Sequence, residues 1–171
     1  GYGVAVYYDG SIYEGIWEDG LRSDHGWFIE ANGNFYVGDW DNDLRTGSGY
    51  CKRKDGLTYK GEWQDDEFHG VGELTKADGS RYLGSFRYGK RHGNGRLESW
   101  DLTIYEGDFE DDMITGQGWM EHKDGKVYEG GWLNYKMHGS GKFTWTDGSW
   151  YNGEYVMDKK EGWGTFNWPE G

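Results

Sequence analysis

Tyr128-Glu129-Gly130-Gly131-Trp132, a polar stretch, and then Gly139-Ser140-Gly141-Lys142-Phe143 decide how this chain folds. The pattern is Tyr-x-Gly-x-aromatic followed by Gly-x-Gly-x-apolar. It recurs at Tyr13, Tyr36, Tyr59, Tyr82, Tyr105, Tyr128 and Tyr151, always 23 residues apart. The aromatic that completes each motif is Trp17, Trp40, Trp63, Phe86, Phe109, Trp132 or Tyr155. A fixed period of this size marks a repeat array. The array covers residues 1–171: a partial unit 1–12, units starting at 13, 36, 59, 82, 105 and 128, and a partial last unit 151–171.

Within a unit the apolar period is two, which is the period of a strand. Nowhere do apolar residues hold a 3.6-residue period for three turns, so no helix is expected. A turn signal, Asp-Gly or Asn-Gly, follows most Gly-x-Gly pairs, as at Asp78-Gly79. A two-residue loop there would pair Leu74 with Leu83. A three-residue loop, Ala77-Asp78-Gly79, pairs Leu74 with Tyr82 and Gly72 with Gly84. Only the second puts rings and glycines on one face, so it is the register predicted. Glycine gaps then become floors on which neighbouring rings lie, each ring burying about 150–250 Å².

The expected fold is all-β: an elongated, single-layer antiparallel sheet of successive hairpins. About fifteen strands at roughly 4.8 Å spacing make a twisted ribbon about 70 Å long. The six residues between each aromatic and the next Gly-x-Gly, such as Glu110 to Thr115, read as polar loops along one edge. Two units break the pattern. Asp24 replaces the first glycine of a pair, and Asp101-Leu102 replaces Asp-Gly. Leucine resists positive φ, so that turn is expected to differ.

Composition sets limits on function. Glycine is 32 of 171 residues, aromatics are 19%, and the formal charge is −13. So many rings argue for order despite the glycine. The acidic field disfavours nucleic acid and anionic membrane. No apolar run approaches the roughly 20 residues of a membrane span. No signal peptide is visible, since Gly1 stands in mid-repeat. The single cysteine, Cys51, fits a reducing compartment and a small buried position.

These residues resemble the MORN repeat, whose pattern is Tyr-x-Gly-x-Trp, a loop often reading Gly-Lys-x-His-Gly, then Gly-x-Gly and Asp-Gly. Gly89-Lys90-Arg91-His92-Gly93-Asn94-Gly95 is the closest copy of the loop. The resemblance covers the whole chain. It implies an elongated hairpin sheet and a scaffolding role in cytoskeletal, ciliary or membrane-junction assembly. It also implies a cytoplasmic location, associated with cytoskeleton or cilium. Family arrays are also appended to enzymes, lipid kinases among them. Asp43, Asp66, Asp112 and Asp158 stand where the family often has the loop glycine. Thr46, Thr115 and Glu161 stand where it often has histidine. Both weaken a lysine-rich lipid-binding reading.

Candidate chemistry is sparse. Gly84 to Lys90 matches seven places of a phosphate loop, but Arg91 takes the Ser/Thr place and no helix follows. Asp39, Asp41 and Asp43 alternate as in a calcium loop, yet Leu44 and Tyr50 stand where Gly and Glu are needed. His69, His92 and His138 share a register, and units two strands apart lie roughly 10 Å from one another, too far to share a metal. The carboxylates at Glu14, Asp39, Glu62, Glu106, Asp108, Glu129 and Glu154 follow the repeat and read as a solvated back face rather than a catalytic pair. No catalytic residue, metal or cofactor is expected.

Two features stand apart from the repeat. The unit from Tyr82 to Ile104 carries a basic island, Arg87, Lys90, Arg91 and Arg96. Seven tryptophans fall outside the repeat slots, four of them, Trp145, Trp150, Trp163 and Trp168, near the C-terminal end. Aromatic anchors are enriched at interface hot spots. Trp145 and Trp168 occupy equivalent slots and are expected in a row. The reading is a non-enzymatic scaffold that binds a helix, an extended peptide or another array along an aromatic groove. Homodimerisation through the Trp-rich end is a specific expectation. The alternatives are a membrane-proximal module for acidic phospholipids, acting through the basic island, and a regulatory array of a larger enzyme.

Overall fold

The computed structural model describes residues 1–169, which fall into two compact units, residues 1–90 and residue 91 onward. Among the described residues there are strands and turns and no helix. In the first unit the strands are β1 (Tyr2–Val6), β2 (Ile12–Glu18), β3 (Leu21–Ile29), β4 (Phe35–Asp41), β5 (Leu44–Lys52), β6 (Thr58–Gln64), β7 (Glu67–Thr75) and β8 (Arg81–Arg87). In the second they are β9 (Lys90–Glu98), β10 (Ile104–Glu110), β11 (Met113–Glu121), β12 (Val127–Leu133), β13 (Lys136–Thr144), β14 (Trp150–Val156) and β15 (Lys159–Asn167). Each unit is an open, single-layer antiparallel sheet of successive hairpins, its strands ordered as in the sequence. This is the all-β architecture that the repeat predicts.

Two kinds of turn alternate. The first is the expected three-residue loop. Lys76 N–H donates to the Ser80 carbonyl at 2.9 Å, and Gly79 N–H donates to the Lys76 carbonyl at 3.0 Å. Gly79 sits at φ 88°, and Leu74 pairs with Tyr82 and Gly72 with Gly84. This is a type I turn followed by a left-handed residue, so the register is as read from the sequence.

The second kind corrects the sequence reading. The six residues from Glu110 to Thr115 are not a loop. Glu110 pairs with Met113, and Asp111-Asp112 alone make the turn, at φ 46° and 71°. Positive φ at both central residues defines a type I′ turn, which suits the twist of two strands. Aspartate and asparagine tolerate that region better than other side chains. Long strands therefore run on past the motif aromatic, with no edge of polar loops.

The long strand accommodates this by a bulge. Gly61 faces Gly72 and Glu62 faces His69, so Gly70 and Val71 are extra residues in β7. Gly70 takes φ 54°, the left-handed region that glycine enters without strain. That is why the first glycine of each pair is needed. Asp24 occupies the same place at φ 53°.

Leu102 overturns another expectation. Its turn does not differ from the others: Ser99 N–H donates to Thr103 O, and Leu102 N–H donates to Ser99 O, both at 2.9 Å. Leu102 is forced to φ 70° because the cross-strand register on either side leaves no other geometry.

Candidate interaction surfaces

The second glycine of each pair has a packing role. Gly61 and Gly72 face each other under the ring of Tyr59, and a Cβ on Gly61 would come within 2.5 Å of the Gly72 Cα. Tyr13, Tyr36, Tyr59, Tyr105, Tyr128 and Tyr151 thus each lie across two glycines, as expected. Tyr13, Tyr59 and Tyr128 have no exposed surface, and Tyr36, Tyr82 and Tyr105 are nearly as buried. Each ring meets its own strand's aromatic edge-on, as in Tyr36–Trp40 at 5.1 Å and 87°. In the first unit Tyr13, Tyr36 and Tyr59 meet the next repeat's aromatic in the same way, as in Tyr36–Trp63 at 5.1 Å and 82°. In the second unit Tyr105–Trp132 and Tyr128–Tyr155 continue the pattern. Edge-to-face pairs add about 0.5–1.5 kcal/mol each beyond burial.

The buried phenols are satisfied locally. Tyr13, Tyr36, Tyr59, Tyr82, Tyr105 and Tyr128 each donate to the carbonyl three residues on, at 2.7–3.1 Å. That carbonyl lies where the bulge interrupts the ladder. Burial pushes the Tyr128 phenol up to about 12 and moves Tyr36, Tyr59, Tyr105 and Tyr155 further in the same direction. The Tyr155 hydroxyl, at a slot filled elsewhere by Trp or Phe, is buried without a hydrogen-bond partner among the described residues.

The ring face is also roofed. Arg22 lies 4.2 Å over the Trp40 ring and Arg45 4.7 Å over Trp63. Phe68, at the equivalent position, stacks on Tyr59 at 3.8 Å and 15°. The motif rings are therefore packed core, apart from half-buried Trp17, and within each unit their face presents no open aromatic groove among the described residues.

The back-face carboxylates have a structural task that sequence reasoning missed. Asp39 accepts from Ser48 N–H at 2.8 Å, Glu62 from Val71 N–H at 3.2 Å and Asp108 from Gln117 N–H at 2.9 Å. Each donor is a bulge amide with no strand partner, so the carboxylate replaces the lost ladder bond. Aspartate or glutamate three places after the motif tyrosine is the signal that could have revealed this.

The basic island dissolves into separate tasks. The Arg91 side chain is 15% exposed, bonds Asp112 Oδ1 through Nε at 3.0 Å, and lies 5.2 Å over Phe109. Arg96 pairs with Glu98 and Glu106. Arg87 lies 5.9 Å from the Tyr88 ring, and Lys90 is exposed. Four free cations are not presented, because β10 and the turn after it supply acids to two of them.

The four C-terminal tryptophans do not form one surface. Trp145 meets Phe166 at 5.3 Å and Phe166 meets Trp168 at 4.1 Å, so Phe166 stands between the members of the expected row. Trp150 belongs to the opposite face, under Lys142 at 4.8 Å. Trp163, in the bulge between Gly162 and Gly164, is 94% exposed, and Trp168 is 73% exposed.

The other candidates are placed as follows. Gly84 to Arg87 lie in β8, Tyr88-Gly89 make a turn and Lys90 opens β9, with no helix to hold a phosphate. Asp39 caps a bulge amide and Asp43 bonds Arg22, so the alternating aspartates do not converge. No group of three His, Cys, Asp or Glu side chains converges on a metal position among the described residues. Cys51 is buried beside Tyr59, and burial raises its thiol pKa. In the second unit a shallow depression of about 630 Å³ is lined by polar side chains such as Asn94, Gln117 and Glu129 around Trp119.

The face of the first unit opposite the rings is the surface that the sequence reading passed over. One cross-strand row there runs Val6–Ile12–Ile29–Phe35. The next runs Val4–Glu14–Trp27–Val37–Tyr50. Val4 is 60% and Val6 73% exposed, and the remainder are half-buried or more open. Trp27, Ile29, Phe35 and Val37 enclose a shallow apolar depression of about 350 Å³. The signal was legible as apolar residues at the off-register places of β1 to β5, where later units mix apolar residues with charged ones such as Lys60, Glu73 and Arg96.

The MORN repeat family model matches residues 13–35, 36–58, 59–81, 82–99, 105–127, 128–150 and 151–171. The chain belongs to the MORN repeat family. The five residues between the fourth and fifth matches hold the Trp100-Asp101-Leu102 turn, where this MORN chain departs from its own pattern. No curated protein sequence matches it. Among solved structures it is similar to the SAS-4 (dCPAP) TCP domain of Drosophila melanogaster, in complex with a proline-rich motif of Ana2. That likeness has 14% identity, a TM-score of 0.48 and 88% coverage of each chain. It is also similar to the TCP10 domain of Danio rerio CPAP. A point mutant of that domain gives 11% identity, TM-score 0.32 and coverage of 89% and 82%. The wild type gives 13%, 0.29, 89% and 83%. At these scores the likenesses fix neither partner nor activity.

Proposed function

We propose that this MORN array is a non-enzymatic scaffold that binds other proteins, in a cytoplasmic, cytoskeletal or ciliary assembly. The observation that carries the reading is the apolar surface of β1 to β5 on the face opposite the rings. A contiguous exposed apolar patch of several hundred Å² on a soluble protein marks a place where something docks. The buried ring ladder holds the sheet together on its own, so the second face is free for recognition. Carboxylates are spread at repeat spacing, and Asp39, Glu62, Asp108 and Asp43 are occupied with bulge amides and turns, which supports a binding role over catalysis.

The test is affinity capture from native extract with the wild-type chain and with Ile29→Asp, both verified as folded by circular dichroism. A defined set of proteins retained by the wild type and lost with Ile29→Asp supports the scaffold reading. Equal retention by both, or no retained protein, removes it. Co-sedimentation of a tagged chain with the detergent-insoluble cytoskeleton checks the location.

Exposed Trp163 and Trp168 favour a second, separable surface for self-association. Sedimentation over a concentration series decides it. A monomer at every concentration, unchanged by Trp163→Ala with Trp168→Ala, excludes the homodimer.

A further inference from the structure

We propose that the apolar face of β1 to β5 seats a basic amphipathic α-helix from a partner protein. This rests on the scaffold reading above and names the partner's chemistry.

The dimensions suit a helix lying across the strands. Five strands span four spacings of about 4.8 Å, roughly 19 Å. A helix rising 1.5 Å per residue covers that with about 13 residues, three to four turns. Its apolar stripe would meet the two rows already described. The depression between Trp27 and Phe35 is the place for one large anchoring side chain. An added strand does not fit here. Strands β2 to β5 already have neighbours on both sides, and the face offers side chains instead of free backbone groups.

Charge selects the sign of the helix. Residues 1–52 hold nine acids and three bases. Two of the three bases are engaged: Arg22 with Asp43 and Arg45 with Asp66. Glu14 stands inside the second row, between Val4 and Trp27. Glu18 and Asp41 share this face's strand positions and are exposed at the far ends of β2 and β4. Apolar rows with an acidic rim match an apolar stripe flanked by lysine or arginine. A second copy of this chain, at −13 overall, meets like charge on this face. An anionic vesicle meets the same repulsion.

The far end of the rows is different. Lys52 follows Phe35 in the first row, and Lys60 follows Tyr50 in the second. A helix C-terminus carries partial negative charge. The helix is therefore oriented with its C-terminal end over β5 and β6 and its N-terminal end over β1.

The experiment uses a fluorescein-labelled 14-residue Leu/Lys amphipathic helical peptide and the intact chain. The controls are a Leu/Glu peptide of the same pattern, a Leu/Lys peptide scrambled to destroy the stripe, and phosphatidylcholine/phosphatidylserine vesicles. The expected result is saturable binding of the Leu/Lys helix in the micromolar range by fluorescence anisotropy. Val4→Asp and Ile29→Asp, both at exposed sites, weaken it at least tenfold with unchanged circular dichroism. Glu14→Lys weakens the Leu/Lys helix and strengthens the Leu/Glu helix.

The proposal is overturned if the scrambled peptide binds as well, if the face variants bind equally, or if only vesicles bind. It is also overturned if sedimentation shows this face closing a dimer. Should the peptides fail while extract capture still depends on Ile29, the scaffold stands and the basic helix does not.

Discussion

Asp43 Oδ1 accepts two hydrogen bonds from Arg22, one from its backbone N–H at 2.8 Å and one from its Nε at 3.0 Å. Asp43 N–H donates back to the Arg22 carbonyl at 3.0 Å. The two residues are 21 apart, so this contact ties one type I′ turn to the next. Arg45–Asp66 and Arg91–Asp112 repeat it. Where the arginine place is Phe68, the following turn has Gly89 in place of aspartate, and only the backbone bond remains.

Asp43→Ala should therefore cost about 1–2 kcal/mol, the low end for bonds to a charged group because the pair is partly exposed. Urea unfolding at neutral pH measures it. Burial raises the Asp43 pKa, but the Arg22 N–H and guanidinium outweigh that and hold it below the usual carboxylate range. Its contribution is present above the unfolded pKa and is lost as pH falls through the folded one. The gap between wild type and Asp43→Ala should close in strong acid.

Leu102→Gly should stabilise the chain by about 1 kcal/mol. A left-handed non-glycine residue costs about 1–2 kcal/mol, offset in part by glycine's greater unfolded entropy. Leu102 is 65% exposed, so little packing is lost. A lower or unchanged denaturation midpoint would contradict the strain.

Gly72→Ala should destabilise by about 3 kcal/mol, because the added methyl meets the Tyr59 ring and the strand cannot move away. Tyr59→Phe keeps the ring and loses the hydroxyl bond to the Glu62 carbonyl, at a cost of about 1 kcal/mol. Thermal unfolding of the two variants should rank them in that order.

Alkaline unfolding should reveal the tyrosine row. Burial raises the folded phenol pKa values above the unfolded value near 10, with Tyr128 at about 12. The raised groups contribute fully below pH 10. Their contribution falls as pH rises from about 10 to about 12, where the unfolded chain ionises first. The phenolate absorbance that belongs to the buried row, beyond that of exposed tyrosines such as Tyr8 and Tyr88, should rise together with loss of circular dichroism in that window. Ionisation of all 14 tyrosines near pH 10 with the fold intact would contradict the burial.

The period of 23 was enough to read the hairpin register, because period-two alternation admits one loop length that puts Leu74, Tyr82, Gly72 and Gly84 on one face. Among the type I′ turns Asp19-Gly20 carries an Asp-Gly signal, but Asp111-Asp112 and Asn134-Tyr135 carry none, so the turn kind was not read across the repeat. Their backbone is imposed by the strands they join. The pairing within the basic island was hidden for a similar reason. Arg91 and Arg96 look free in the sequence, but Glu106 arrives from β10 and Asp112 from the turn after it. The apolar face was legible in principle at Trp27, Phe35 and Val37, but the stronger motif rings drew attention to the other side.

The sequence by itself determined the repeat, the hairpins and the ring-over-glycine core, because each follows from spacing along a strand. Tertiary structure alone decided which rings are closed off, which charges are paired and which face remains open. Those properties depend on what the next strand brings alongside. Tyr59 is sealed by Phe68 and Phe86, whereas Val4 is 60% and Ile29 36% exposed.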